Sequence, residues 1–359
     1  MIYWIILILL FILAVLSESK LTRTLKYLLI VIAAGSLTLL AGLRGNIEPD
    51  YANYEEMFDN VGIYLSQGGE GVEHGYLFLN YIIKAVGLGF QAVVFIMAFL
   101  AIVPKVIFFY KHSPNFLFSS LVYFTSIYFL FDFIAIRQAV TITIFMCSLV
   151  FVLERRLVPY LICIVLGAFI HSSILLLLPG YFIFSKKISG IYLYCIVGIC
   201  AVINILQIKI GLVEFALEKF VLPEAAAGKA AFYGAEQNFA FVSLKQIVLA
   251  MIFIFLNDKK QSNAQFKNIL TNIFVAGIIF ATVLNGIPQL SYRIKWYFFW
   301  PEAILIIYFV KYLSFEKLPF KYLMYLALLA LYANTMFVLL NELATRGNYI
   351  YPYKTFIDQ

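Results

Sequence analysis

Charge is what this sequence has least of. Only 13% of its 359 residues are Asp, Glu, Lys or Arg, while 64% are apolar and the mean hydropathy is +0.94. Polar surface that sparse cannot cover a soluble globule, so a free-standing soluble fold is excluded. Histidine numbers three and cysteine four. Cys147, Cys163, Cys195 and Cys200 all fall inside apolar runs without metal-site spacing, and they read as small core residues. No DxD-like run or His/Asp/Glu cluster offers ligand spacing, so neither a metal nor a cofactor is expected. The first run, Ile2–Leu16, has no basic residue before it and no small-residue cleavage site after it. It reads as a retained span and not a signal peptide.

What is present is one apolar run after another, together with 18% aromatic residues, a group that favours the membrane–water boundary. A span takes about 20 apolar residues for a hydrocarbon core of about 30 Å. The expected fold is an all-α, polytopic membrane bundle in a single domain, 1–359. Its twelve expected spans are 1–16, 26–43, 90–110, 115–132, 134–153, 157–170, 172–185, 188–208, 243–257, 268–287, 294–311 and 321–341. Segment 76–89 is short, with Asn80 and Lys84 on one helical face, and reads as an interfacial helix.

Run 157–185 carries no Lys, Arg, Asp or Glu and is too long for one untilted span. Two short spans meeting at His171 return the chain to its starting side. Fourteen basic residues then share one face: Lys20, Arg23, Lys26, Lys111, Arg155, Arg156, Lys186, Lys187, Lys259, Lys260, Lys267, Lys311, Lys317 and Lys321. Short loops rich in Lys and Arg face the cytoplasm, which places both termini on the other side of the membrane. The net charge of +7 therefore reports topology, and nucleic acid is not an expected partner.

The non-cytoplasmic face gathers the polar islands. The first, Leu43–Gly75, opens with Arg44 and carries Glu48, Asp50, Glu55, Glu56, Asp59, Glu70 and Glu73 with Tyr51, Tyr54 and Tyr64. Arg137 follows Asp132 in FDFIAIRQAVTI and either pairs with it or binds an anion. His171 stands at the expected turn beside Ser172 and Ser173, placed for proton transfer or for donating to a phosphate. Arg293 sits among Trp296, Tyr297 and Trp300, and its planar fork suits phosphate oxygens, with Glu302 as the rival partner. Loop 209–242, rich in small residues, reads as a lid or as a tolerated insertion.

In order and spacing, six pieces resemble the EpsG-type branch of the Wzy polysaccharide polymerases: LRGNIEPDYANYEEMF, VEHGYLFLNYI, IRQAVTITIF, HSSILLLLPGY, RIKWYFF and YIYPY. Pro49 stands where the family often has a glycine, and His74 where a proline is expected. The resemblance implies a GT-C-like membrane glycosyltransferase in the inner membrane. Such an enzyme transfers a growing glycan from undecaprenyl diphosphate to another lipid-linked repeat unit, with a chain-length regulator as a further partner. Its important positions would be Arg44, Asp50, Glu73, Arg137, His171 and Arg293. Arginines would meet the charge developing on the leaving diphosphate without a metal. Asp50, Glu73 and His171 are the candidates for the base, and Tyr51 and Tyr54 join the arginines as substrate-binding candidates. The rival readings are a flippase for lipid-linked oligosaccharide and an O-antigen ligase.

Overall fold

The computed structural model describes residues 1–18, 22–69, 71–210, 242–258, 263–313, 318–347 and 349–358. The bulk of the expected lid, 211–241, lies outside them. Among the described residues there is no strand, only an isolated antiparallel bridge between Arg44 and Thr355. The helices run α1 Ile2–Leu16, α2 Arg23–Gly42, α3 Tyr51–Asp59, α4 Val61–Ser66, α5 His74–Ala85 and α6 Phe90–His112. Next come α7 Phe116–Tyr123, continued by a π-helix over Phe124–Ile134, then α8 Ile136–Leu153 and α9 Leu157–Ala168. After a 3₁₀ turn, Ser172–Leu177, follow α10 Gly180–Phe184, α11 Gly190–Ile205, α12 Leu244–Asp258 and α13 Ala264–Val283. The last are α14 Pro288–Phe299, α15 Glu302–Leu313 and α16 Leu318–Gly347.

Among the described residues, six helices suffice by length and composition to cross a membrane: α2, α6, the 116–134 helix, α8, α13 and residues 320–345 of α16. Together with the shorter apolar α1, α9 and α11, they make this a helical, multi-pass membrane protein. Two expected spans are broken. Residues 172–185 form a 3₁₀ turn and the five-residue α10, with Pro179 between them. Residues 294–311 are divided at Pro301, which has no N–H to donate; the helix restarts as Ala303 and Leu305 donate to the carbonyls of Trp300 and Pro301. The reversal expected at His171 is present. Tyr160 of α9 donates its hydroxyl to Leu177 O at 2.6 Å, and the Tyr160 and Tyr181 rings lie 5.6 Å apart.

The chain forms two compact units, Met1–Tyr181 with Val310–Gln359, and Phe182–Phe309. In the first, the 116–134 helix is buried along nearly its whole length. Two of its polar groups are met by neighbouring helices: Tyr128 donates to Leu37 O of α2 at 2.6 Å, and Asp132 accepts from Lys105 of α6 at 2.6 Å. At one end of this unit, Glu18 accepts from Asn115, Tyr325 and Lys321. At the other end of α1, Tyr3 donates to Ile350 O at 2.8 Å and packs on Phe129 and Phe133. Here residues 43–47 meet the C-terminal stretch: Gly45 N donates to Lys354 O, Ile350 N to Ile47 O and Phe356 N to Leu43 O. In the second unit, α13 packs on α12 and α14, and the side-chain amides of Asn268 and Asn272 bind the carbonyl of Lys186.

Candidate functional site

Glu73 is where separate stretches of the first unit converge. It precedes α5 in extended conformation, so its carboxylate is directed away from its own helix end. Oε1 accepts from His171 Nδ1 at 2.9 Å, from Ser172 N at 2.8 Å and from Ser172 Oγ at 3.0 Å. Oε2 accepts from Arg137 Nη1, at the start of α8, at 2.6 Å. The His171 turn is held against α5 by its backbone. Gly75 N and Tyr76 N donate to Phe169 O at 2.8 and 3.3 Å, which satisfies orphan donors of the first helical turn. A Cβ on Gly75 would stand 2.5 Å from that oxygen, so only glycine allows the approach.

The guanidinium of Arg137 lies over the rings of Tyr54 on α3 and Tyr76 on α5, 5.7 and 5.4 Å from their centroids. The two rings meet edge to face at 5.9 Å. Both tyrosines are buried, whereas Arg137, Glu73 and His171 keep 17, 14 and 20% of their side chains exposed. The cluster is thus packed from behind and open in front. Burial alone would raise the Glu73 carboxyl. The bonds from His171 and Ser172 and the charge of Arg137 outweigh it and hold the group down at about 2, so Glu73 is a carboxylate at any physiological pH. Burial also pushes the Tyr54 hydroxyl up to about 12, with Arg137 pulling the other way.

A second arginine–glutamate pair has a different character. Arg44 has no exposed side-chain surface. Its Nη1 donates to Ala41 O at 2.6 Å, Nη2 faces Glu48 Oε1 at 3.5 Å, and the guanidinium lies 5.1 Å from the Phe133 ring centroid. Glu48 Oε2 accepts from Asp50 N at 2.7 Å, so Asp50 contributes its backbone here while Glu48 pairs with the arginine. Desolvation, set against the attraction of Arg44, raises the Glu48 carboxyl to about 7. Asp50 stands at the start of α3 and is part-buried. Tyr51 is buried, with its ring edge-on to Phe90 and its hydroxyl donating to Gln91 Oε1 at 3.3 Å.

The Arg137–Asp132 pair offered as an alternative in the sequence does not form. Arg137 pairs with Glu73, and Asp132 with Lys105, because a carboxylate inside a packed helix takes the cation whose side chain reaches it across the interface. In the second unit Glu302 is buried and pairs with Lys245 at 2.7 Å, while Arg293 is exposed on α14. Sequence reasoning missed Tyr76, Glu48, Lys105 and Lys245. For Glu48 the signal was its place four residues after Arg44. For Lys105 it was a lone charge within an apolar run, which requires a partner. Tyr76 and Lys245 carried no such signal.

A family model, described as the EpsG family, matches residues 27–355. The chain belongs to the EpsG family. This is the family of Wzy-type polysaccharide polymerases, and the matched stretch contains the whole Glu73 cluster. Comparisons with curated proteins and with solved structures found no match. In this EpsG family member, residues 54, 73, 137 and 171–172 are brought to one place from well-separated parts of the matched sequence.

Proposed function

We propose that this EpsG family chain is a membrane glycosyltransferase that polymerises undecaprenyl-diphosphate-linked oligosaccharide repeat units into surface polysaccharide, on the outer face of the inner membrane. The observation that supports this most is the convergence on Glu73 of an arginine, a histidine and a hydroxyl, with two tyrosine rings packed against the arginine. Glycosyl transfer from a lipid diphosphate needs a proton acceptor for the attacking hydroxyl and cationic help for the leaving group. Arg137 in the first unit and, separately, the exposed Arg293 in the second are each proposed to bind a diphosphate. Arg44, enclosed and paired, is assigned instead to holding residues 43–50 in place, a change from the role that the resemblance implies.

The test is deletion of the gene, read on a gel of surface polysaccharide. Glycan that stops at one repeat unit supports a polymerase. Unattached long chains would indicate a ligase, and loss of all surface glycan a flippase. Because guanidinium groups supply the positive charge in this reading, polymerisation by the purified protein should persist in EDTA. Loss of activity there, restored by Mg²⁺ or Mn²⁺, would overturn that part. The proposed architecture is a single GT-C-like domain of about twelve spans with both termini outside the cytoplasm, where a chain-length regulator could dock. Cysteine placed at the exposed Ser66 should then react with a membrane-impermeant thiol reagent without breaching the inner membrane. Labelling only after breach would reverse the topology.

A further inference from the structure

Two of the candidates for the base in the polymerase reading, Glu73 and His171, meet in one cluster, and their hydrogen bonds distinguish them. We propose that His171 is the general base that deprotonates the acceptor hydroxyl through Nε2, and that Glu73 is its positioning residue, fixing the imidazole by the hydrogen bond to Nδ1. This inference rests on the polymerase reading and assigns the proton transfer within it.

An ionised carboxylate can only accept. Glu73 Oε1 lies 2.9 Å from His171 Nδ1, so that nitrogen carries the hydrogen, and in the neutral ring Nε2 holds the free electron pair. The carboxylate itself is poorly disposed to act as the base. Ser172 N and Oγ and His171 occupy Oε1, Arg137 occupies Oε2, and those bonds would have to be broken before a proton could be taken. The same four bonds fix the carboxylate from both sides, Ser172 on one and Arg137 on the other, and so fix the ring. His171 keeps 20% of its side chain exposed. The charged and titratable groups around it are Glu73 and His74 at the start of α5, Arg137 on α8, and Tyr76 and Tyr54 behind the arginine.

In the step, the acceptor O–H gives its proton to Nε2 as its oxygen bonds to C1 of the donor glycan. The C1–O bond to phosphate breaks, and its electron pair leaves with the lipid diphosphate. The imidazolium keeps its Nδ1–H on Glu73 until Nε2 returns the proton to solvent.

The test uses purified full-length protein and a lipid-linked repeat unit, with kcat and KM measured across pH and melting temperature measured alongside. His171→Ala should lower kcat by about 10²–10⁴-fold, lose the acidic limb of the profile and regain part of its rate when imidazole is added. Glu73→Gln keeps the shape and removes the charge. It should lower kcat, leave KM near wild type and move the acidic limb to lower pH. His171→Gln is the control for folding and should be as slow as His171→Ala at the wild-type melting temperature. Wild-type kcat and acidic limb in either His171 variant would overturn the inference and leave the polymerase reading standing. A Glu73→Gln that merely melts earlier, with its acidic limb unmoved, would reduce Glu73 to scaffold and overturn its positioning role. Failure of the wild-type protein to extend the repeat unit would overturn the polymerase reading and this inference with it.

Discussion

Arg44 with Glu48, and Arg137 with Glu73, are the same two residue types in salt-bridge range at the same end of one unit. Arg44 and Glu48 come from one short stretch and are sealed from solvent, and burial drives the Glu48 carboxyl up to about 7. Arg137 and Glu73 come from elements 64 residues apart and stay partly open, and Glu73 collects enough donors to be held at about 2. Pair identity therefore says little about role. What separates them is how many donors the carboxylate collects and whether a face is left for a ligand.

The largest expected effect is at Arg44. Arg44→Ala leaves Glu48 buried without its cation and should destabilise the protein by about 3–5 kcal/mol, seen as loss of membrane-inserted protein on an immunoblot. Adding Glu48→Leu should recover part of that abundance. Normal abundance of the single variant would remove Arg44 from the scaffold. Next is the pH response. Glu48 binds its proton more tightly in the folded chain than its ordinary value of 4.5 allows. Stability should therefore rise as pH falls from about 7.5 towards 5, by at most about 3 kcal/mol. Glu73 has the opposite sign: its contribution is complete above 4.5 and is lost only as pH falls towards about 2, so it stays silent in that window. Melting temperatures of wild type and Glu48→Gln at the two pH values check this, and an equal slope in both would refute it.

A smaller effect is expected at the open pair. Arg137→Lys keeps the charge and loses the planar fork, a change of about 1.5–3 kcal/mol in charge-assisted bonding. Polymerisation should fall about 10–100-fold while protein level and melting temperature stay at wild type. Full-length polysaccharide at matched protein level would make this pair scaffold as well. The smallest effect is at Tyr51→Phe, which removes the 3.3 Å bond to Gln91. A loss of about 0.5–1 kcal/mol in stability with normal polymer is expected. Loss of polymer at full abundance would instead place Tyr51 at the substrate.

Much of the helical layout is legible in the chain itself. The run 90–110 is α6, 188–208 contains α11, and the reversal at His171 follows from a charge-free stretch too long for one span. The breaks at Pro179 and Pro301 are harder to read, because hydropathy counts both stretches as continuous. Residue type and position single out Glu73, Arg137, His171 and Tyr54 in advance. Their pairing is invisible, because it joins residues 64 and 98 apart in sequence, and local spacing suggests Asp132 for Arg137 instead. Tyr76 is missed because an aromatic in an apolar helix looks like packing until a cation is seen above it.

The contacts between residues 43–47 and the C-terminal stretch set an order of events in biosynthesis. Tyr3 cannot make its bond to Ile350, nor Ile47 accept from the Ile350 amide, until residue 350 has left the ribosome. At translation rates of about 5–20 residues per second, the Arg44 corner waits on the order of half a minute in the membrane before its covering segment exists. During that wait the strand-like bridge from Arg44 to Thr355 cannot form. Nascent chains stalled before residue 350 should therefore hold this corner open, a target for membrane proteases that the finished chain does not present.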